Sequence, residues 1–286
     1  EDLYPVFVHA NSLAGRLYGL PVKADASLLW YRKDWFAQED LPSPENWDDL
    51  IETATYFLHP DVKERYSIAH PLAFPGGMAG GEATVYGLLP FVWSAGGRIL
   101  NGQAKHITLN SPETSLALRF LRELVRHRGV SSSDVVGYRH DTSPRLFAQG
   151  KVAMAVGGSY EAELIQTVSR WRDDDFSQRV GAVPPPAPAG RESISTVGGT
   201  SYVVLRQCQC PDLVIDVLRV ATDPHVIGGL YRSMRLNFPG PSFNGVVDHA
   251  GGTLSPQIAS MIASGRARPS IPEYVKVSRQ IQAMFE

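Results

Sequence analysis

This 286-residue sequence has few cysteines, few charged residues and no long hydrophobic run. Its two cysteines, Cys208 and Cys210, are one residue apart, a spacing that suits neither a disulfide between them nor a four-ligand zinc site. Charged residues make up only 20% of the chain, and 27 basic residues face 29 acidic ones, so no basic surplus is available to neutralise nucleic-acid phosphates. No apolar run approaches the ~20 residues of a membrane-spanning helix. The sequence therefore disfavours nucleic-acid binders and proteins with membrane-spanning helices.

The motifs of common enzyme classes are also missing. The glycine-rich stretch 76–81 lacks the lysine of a phosphate-binding loop, and we interpret it as a flexible loop. The run Gly157-Gly158-Ser159-Tyr160-Glu161 lacks the second glycine of a nucleophile elbow. Its two glycines are therefore predicted to form a turn, and Ser159 to cap the helix that follows. The eight histidines show no paired metal-ligand spacing. We therefore expect no catalytic set, no metal and no cofactor.

What the sequence does contain is enough apolar material for a core, since hydrophobic residues make up 43%. Its length fits two lobes better than one small domain. Predicted strands cover residues 17–22, 26–31, 151–156, 179–183 and 201–206. Predicted helices follow the last of these strands over 212–221, 225–234, 256–264 and 272–285. Strands and helices alternate through most of the chain, which favours an α/β fold.

The clearest helix is predicted over residues 112–128, with Gly129 as its stop. Its apolar stripe, formed by Leu116, Phe120, Leu121, Leu124 and Val125, predicts that Phe120, Leu121 and Leu124 are buried. Arg119 and Arg126 are predicted to lie on the solvent-exposed face. Two tryptophans, Trp47 and Trp93, are assigned to the core. Residues 184–190 are rich in proline and are interpreted as a stiff polyproline loop on the surface.

Several short motifs, weak alone, occur in a fixed order over nearly the whole chain. They are Tyr18-Gly19-Leu20-Pro21, Tyr31-Arg32-Lys33-Asp34-Trp35-Phe36, Asn46-Trp47-Asp48-Asp49-Leu50, Trp93-Ser94-Ala95-Gly96-Gly97, Leu109-Asn110-Ser111-Pro112-Glu113, Phe147-Ala148-Gln149-Gly150-Lys151, Gly158-Ser159-Tyr160 and Val197-Gly198-Gly199. In this order they resemble the sugar-type (family 1) extracytoplasmic solute-binding proteins of ABC importers, the group that includes maltose-binding protein.

The resemblance implies a type II periplasmic-binding-protein-like fold of two α/β lobes, here one full lobe plus part of the other. It implies the end of lobe one and a first crossing in residues 1–24, lobe two in 25–197, and a returning strand and helices of lobe one in 198–236. Residues 237–286 would be C-terminal helices that pack back on lobe two. Crossings between lobes are expected near Ala24 and Asp25, near 198–200 and near 237–239. The first part of lobe one is expected to be missing.

The same resemblance suggests ligand-binding residues. Asp25 corresponds to the family's acidic residue at the first crossing, although a solvated loop aspartate is as good a reading. Tyr86 falls where maltose-type members carry a pocket tyrosine, with a core aromatic as the alternative. Tyr160 replaces the family's stacking tryptophan. His140 stands where a ligand-contacting side chain often lies, although an ordinary loop histidine is the simpler reading.

Gly198 and Gly199 resemble a hinge crossing, because glycine can absorb large backbone changes. Together these features predict a monomeric, non-enzymatic protein, periplasmic or extracellular and with or without a lipid anchor. It would capture a carbohydrate by lobe closure and deliver it to ABC permease subunits. Two alternatives stay open on the sequence: a ligand-sensing module of the same fold attached to a regulatory protein, and a glycan-active enzyme.

Overall fold

The structure, a computed structural model, describes residues 3–13, 15–102, 106–223, 226, 237–240 and 255–286. Its helices are α1 Pro5–Ala10, α2 Lys33–Gln38, α3 Trp47–Tyr56, α4 Pro60–Tyr66, α5 Glu82–Ser94, α6 Pro112–Arg122, α7 Thr142–Ala148, α8 Ala162–Ser169, α9 Asp173–Arg179, α10 Pro211–Ala221, α11 Ser255–Ser264 and α12 Tyr274–Phe285. Its strands are β1 Ser12–Leu13, β2 Arg16–Leu17, β3 Leu20–Arg32, β4 Leu72–Ala73, β5 Met154–Gly158, β6 Val180–Val183, β7 Thr196–Tyr202 and β8 Arg266–Ala267. The helix predicted over 225–234 lies outside the described residues, apart from the helical Val226.

The chain divides into two compact units. The first contains residues 1–26 and 197–268, and the second contains residues 27–196 and 269–286. The first two divisions between the units, after residues 26 and 196, lie within two or three residues of the crossings predicted near Asp25 and near 198–200. The third does not, because Asn237 and Pro239 belong to the first unit. There the Ala24 amide donates to the Asn237 carbonyl and the Tyr4 amide to the Pro239 carbonyl, both at 2.8 Å. Assigning these units to the lobes of the family stays a prediction.

In the first unit, the amino-terminal half of β3 pairs antiparallel with β7, and a register shift lies between Pro21 and Lys23. The short strands β1 and β2 pair with each other. Helix α10 begins with a proline and has a strongly one-sided apolar pattern, yet none of its residues is buried. Leu213, Val217 and Val220 are more than half exposed.

In the second unit, the carboxyl-terminal half of β3 pairs antiparallel with β5 through residues 27–31 and with β6 through residues 29–32. Strand β4 pairs parallel with β5. The strands 17–22 and 26–31 expected from the sequence are therefore parts of one 13-residue strand that runs through both units. The predicted turn at Gly157 and Gly158 is also wrong, since both residues pair within β5.

The core of the second unit lies between this sheet and the helices that follow it. The Trp47 ring stacks on Phe120 with 4.1 Å between centroids, and both Trp47 and Trp93 are buried, as predicted. Trp47 starts α3 behind a capping box, in which Asn46 accepts from the Asp49 amide and the Asp49 side chain accepts from the Asn46 amide.

The proline-rich segment is packed rather than displayed on the surface. The indole Nε1–H of Trp47 donates to the Pro186 carbonyl at 2.9 Å, and Asn46 forms a parallel bridge with Ala187. Pro185 and Pro186 are buried. The surface-loop interpretation is therefore wrong for the middle of this segment, because a tryptophan side chain anchors it to the start of α3.

The predicted helical face of α6 is confirmed. Phe120, Leu121 and Leu124 are buried, whereas Arg119 and Arg126 are exposed. The α-helix ends at Arg122, and a π-helical turn, Glu123–His127, carries Leu124. Gly129 follows with a φ of 62°, a left-handed conformation that suits glycine at a helix end.

The glycine-rich stretch 76–81 packs tightly, so the flexible-loop interpretation is wrong. A Cβ on Gly77 would lie 2.6 Å from the Val136 carbonyl oxygen, and one on Gly80 would lie 2.4 Å from the Thr84 hydroxyl. The Thr84 hydroxyl in turn donates to the Gly77 carbonyl at 2.7 Å. These glycines are present because neighbouring backbone and side chains leave no room for a side chain.

Helix α12 returns the end of the chain to the second unit. Val277 and Ile281 pack against Val85 and Leu89 of α5. At the start of α5, the Glu82 carboxylate accepts hydrogen bonds from the Tyr274 and Ser278 hydroxyls of α12. An apolar stripe and two directed hydrogen bonds therefore fix α12 on α5.

Candidate ligand-binding site

The candidate site in the second unit lies where β5 ends. Gly157 and Gly158 close this strand, paired with Leu28 and Ser27 of β3. A 3₁₀ turn, Ser159–Glu161, then leads into α8. Ser159 is buried within this turn, and the residue at the N-cap of α8 is Glu161, so Ser159 is not the predicted cap of that helix. Carboxyl ends of strands in open α/β sheets are where ligands gather.

Two tyrosines meet at this strand end. The rings of Tyr86, from α5, and Tyr160, from the 3₁₀ turn, lie 5.8 Å apart edge to face, with 61° between their planes. Tyr86 is 5% exposed, whereas Tyr160 is 37% exposed. A buried ring therefore supports a ring that presents part of its surface to solvent, in an arrangement that aromatic pairs favour.

Gly158 lies directly beneath the two rings. A Cβ there would be 2.3 Å from Cε1 of Tyr160 and 3.0 Å from Cε1 of Tyr86. Real Cβ atoms do not approach ring carbons this closely, so any larger residue at 158 would displace the Tyr160 ring. The Tyr160 ring occupies the space that a side chain at position 158 would need.

Beside this pair lies a buried acid, Glu161, which is only 4% exposed. Its Oε2 accepts a hydrogen bond from Nε1–H of Trp30 at 3.0 Å. Burial raises the pKa of the Glu161 carboxyl to about 8, although hydrogen bonds from the Gly158 backbone and the Trp30 indole oppose the rise. No Lys, Arg or His forms an ion pair with Glu161 in the part of the chain that the structure describes. The carboxyl is therefore mainly neutral at pH 7.

Gly157 makes room for this carboxyl. A Cβ at position 157 would lie 1.9 Å from Oε2 of Glu161. The two consecutive glycines thus leave space for different groups. Gly157 leaves space for the Glu161 carboxyl, and Gly158 leaves space for the tyrosine rings. The arrangement combines one half-exposed aromatic ring with a buried, hydrogen-bonded acid in the next residue of the chain. Such a face can cover the apolar CH patch of a small molecule while polar groups nearby bind its hydroxyls.

The structure locates Asp25, Gly198 and Gly199 in the first unit. Asp25 is 6% exposed, pairs with Gly198 across β3 and β7, and lies 3.3 Å from the Lys23 ammonium. The reading of Asp25 as a solvated loop residue is therefore wrong. Gly199 has a φ of 156°, and a Cβ there would lie 1.8 Å from the Lys23 carbonyl oxygen, so this position requires glycine.

His140 lies on an exposed turn that precedes α7. Within the described residues it makes no hydrogen bond or ring contact with the tyrosine pair. In the same turn, a hydrogen bond from Arg145 lowers the pKa of the neighbouring Asp141. The structure therefore brings together Tyr86 with Tyr160 and Asp25 with Gly198, and leaves His140 outside both pairs.

Sequence reasoning missed Glu161 and Trp30. The available signal was the run Gly157 to Glu161, in which two glycines precede an aromatic residue and an acid. Trp30 lies 131 residues away along the chain, so no local pattern links it to Glu161. Among the described residues, no cluster of three or more His, Cys, Asp or Glu side chains could hold a metal ion. The helices in that part of the chain are all too short or too polar to cross a membrane.

Residues 2–225 match the family model described as bacterial extracellular solute-binding protein. The chain belongs to this family. Members of the family bind substrates for ABC transporters and are not enzymes. The likeness also accounts for the order of the short sequence motifs and for the α/β elements that follow them.

Solved structures show the same fold. A solute-binding protein from Thermotoga lettingae in complex with α-D-tagatose superposes with a TM-score of 0.85 at 26% identity, covering 99% of this chain and 70% of that one. The maltose-bound MalE3 protein of T. maritima superposes with a TM-score of 0.83 at 22% identity, covering 98% of this chain and 70% of that one. The chain therefore has the type II periplasmic-binding-protein fold.

Curated relatives are longer than this chain. The putative ABC transporter periplasmic-binding protein YcjN of Escherichia coli is 30% identical over 142 residues, which are 50% of this chain and 30% of that protein. The mannitol-binding protein of Pseudomonas aeruginosa is 28% identical over 172 residues, which are 59% of this chain and 37% of that protein. The matched segments thus span about a third of the length of each relative.

Proposed function

We propose that this solute-binding protein captures a carbohydrate or sugar alcohol and delivers it to an ABC importer. The family match and the ligands named for its structural neighbours, maltose and α-D-tagatose, support this substrate class. The proposed partners are the permease subunits of the importer, and the proposed location is periplasmic or extracellular. Capture by hinge bending at Gly198 and Gly199 stays a prediction.

The observation that carries the proposal is the Tyr160 ring. It lies in the turn that follows β5, contacts Tyr86 edge to face, and keeps 37% of its surface exposed. A tyrosine has two side-chain torsions, so fixing its ring against a sugar face costs little conformational entropy. The neutral acid that follows it in the chain adds no net charge, which favours uncharged, hydroxyl-rich ligands over ions. A sugar platform explains why so large an aromatic ring is fixed and half exposed.

The test is calorimetric titration of the full chain with maltose, D-tagatose, ribitol and D-mannitol. Tyr160→Ala should weaken the binding of whichever compound binds by about 1–3 kcal/mol, the scale of burying one large apolar side chain. Tyr160→Trp should retain or strengthen binding, because a larger aromatic face covers the same sugar patch. Tyr18→Ala, at a tyrosine of the first unit that is 61% exposed, is the control and should leave the affinity unchanged.

A core role for Tyr160 predicts a different pattern. The alanine variant would then lower the melting temperature strongly, and the tryptophan variant would overpack and destabilise the protein. Unchanged sugar affinity in a folded Tyr160→Ala protein would remove this ring from the site. Failure of the unsubstituted chain to bind any of the four compounds would contradict the carbohydrate assignment itself.

A further inference from the structure

We infer that Glu161 is a positioning residue whose buried carboxyl holds the Tyr160 ring in the orientation that receives the ligand. The identity of the ligand in this inference rests on the proposed function, whereas the positioning of the ring rests on the structure alone. Glu161 follows Tyr160 directly in the 3₁₀ turn Ser159–Glu161. Any displacement of its backbone therefore moves the Tyr160 backbone with it.

Two hydrogen bonds fix the carboxyl from two neighbouring strands, β3 and β5. One comes from the Trp30 indole on β3 at 3.0 Å, and the other comes from the Gly158 backbone at the end of β5. Trp30 is fully buried, so its N–H direction is itself fixed by packing. The turn that carries Tyr160 is consequently tied to two strands through one side chain.

An apolar side chain would fill the same space at a lower desolvation cost. Burying a carboxyl without a cationic partner is unfavourable, and in the described part of the chain Glu161 has none. What the carboxyl adds over a leucine is two directed hydrogen bonds, which define an orientation rather than a volume. Gly157 leaves the space for that carboxyl, just as Gly158 leaves the space for the ring. Both glycines therefore serve the same arrangement.

The first experiment measures ring position without any ligand. In protein labelled with ¹³C on tyrosine rings, the Tyr160 signals are assigned by comparison with Tyr160→Phe. Glu161→Leu should shift the Tyr160 and Tyr86 ring signals, and Gly157→Ala should shift the same signals by displacing the carboxyl. Glu161→Gln keeps an oxygen that accepts from Trp30 and should stay close to the unsubstituted spectrum. Glu163→Leu, at an exposed acid two residues further along, is the matched control.

The second experiment measures sugar affinity in a double-mutant cycle. Glu161→Leu should weaken binding about tenfold when Tyr160 is present, equivalent to about 1.4 kcal/mol. It should have little further effect in the Tyr160→Ala background, because the residue acts through that ring. A purely structural role would instead lower stability equally in both backgrounds and leave the affinity of the folded protein unchanged.

The two experiments distinguish a failure of the positioning role from a failure of the carbohydrate proposal. Unaltered Tyr160 ring signals in folded Glu161→Leu protein would overturn the positioning role whether or not a sugar binds. Altered signals, together with no binding of the four compounds by the unsubstituted chain, would support the positioning role and overturn the carbohydrate proposal. Equal affinity losses for Glu161→Leu with and without Tyr160 would also overturn the positioning role.

Discussion

At the scale of single residues, the candidate site depends on two glycines, whose lack of a side chain leaves space for neighbouring groups. Gly157 and Gly158 end β5 under a carboxyl and under two aromatic rings, at distances that no Cβ tolerates. The sequence predicted that Tyr160 follows a strand, but it placed the two glycines in a turn. Glycine is common both in turns and where another group approaches the backbone closely, and only the three-dimensional neighbours distinguish these uses.

The buried acid makes stability depend on pH. The pKa of Glu161 is about 8 in the folded protein against an ordinary value of 4.5. Between these values the folded state keeps a proton that the unfolded state releases, so raising the pH favours unfolding. We expect the free energy of unfolding to fall by up to about 1.4 kcal/mol per pH unit across this window. The stabilisation is complete below pH 4.5 and is lost once the pH passes 8.

Urea unfolding followed by circular dichroism at several pH values between 5 and 8 measures this dependence. Glu161→Gln should remove the slope attributed to this residue, because an amide does not titrate. Glu163→Gln, at an exposed position of α8, should leave the slope unchanged. A slope that persists in Glu161→Gln would assign the titration to another group.

At the scale of elements, α6 shows what a single sequence predicts well. Its apolar residues recur at helical spacing, so the sequence alone defines the buried face that the structure contains. The π-helical turn after Arg122 was not predicted, because one inserted residue leaves little trace in a hydrophobic pattern. Even so, Leu124 stays on the buried side.

Two leucines of the predicted apolar stripe give a matched pair, because the structure exposes Leu116 although the sequence placed it in the stripe. Leu124 is completely buried, whereas Leu116 is 38% exposed. Leu124→Ala should lower the free energy of unfolding by about 2–5 kcal/mol, because it leaves a cavity in the core. Leu116→Ala should change it by less than about 0.5 kcal/mol. Chemical denaturation measures both values, and equal losses would contradict the assigned face.

Strand β3 was harder to predict than α6. Its amino-terminal half contains Pro21 and Lys23, which read as the edge of a short strand rather than the interior of a long one. The register shift between these two residues accommodates the proline, and the strand continues past it. The buried proline-rich segment escaped prediction for a related reason, because its anchor, the Trp47 indole, is 139 residues away along the chain.

At the scale of the whole molecule, the ordered motifs predicted the family and the fold. They did not predict the last division between the units, which lies after residue 268 rather than near 237. Asn237 lies in the first unit, where its carbonyl accepts from the Ala24 amide, and no local residue pattern encodes a contact between residues so far apart. The lobe assignment and the ligand-binding residues stay predictions that the proposed experiments test.

The return of the last helix to the second unit should contribute strongly to stability. Ile281 of α12 is completely buried against α5, whereas Val275, near the start of the same helix, is 64% exposed. Ile281→Ala should lower the free energy of unfolding by about 2–5 kcal/mol. Val275→Ala, the control, should have an effect below about 0.5 kcal/mol. Similar effects for both variants would mean that α12 contributes little to the core.

The long strand β3 also constrains the order of events during synthesis. Trp30 finds its partner 131 residues later in the chain, and the Ser27 hydroxyl meets the Thr196 amide 169 residues later. At roughly 5–20 residues per second, a ribosome takes on the order of ten seconds or more to supply those partners. Throughout that interval the nascent chain carries a strongly apolar segment without those partners, and exposed segments of this kind are prone to aggregate.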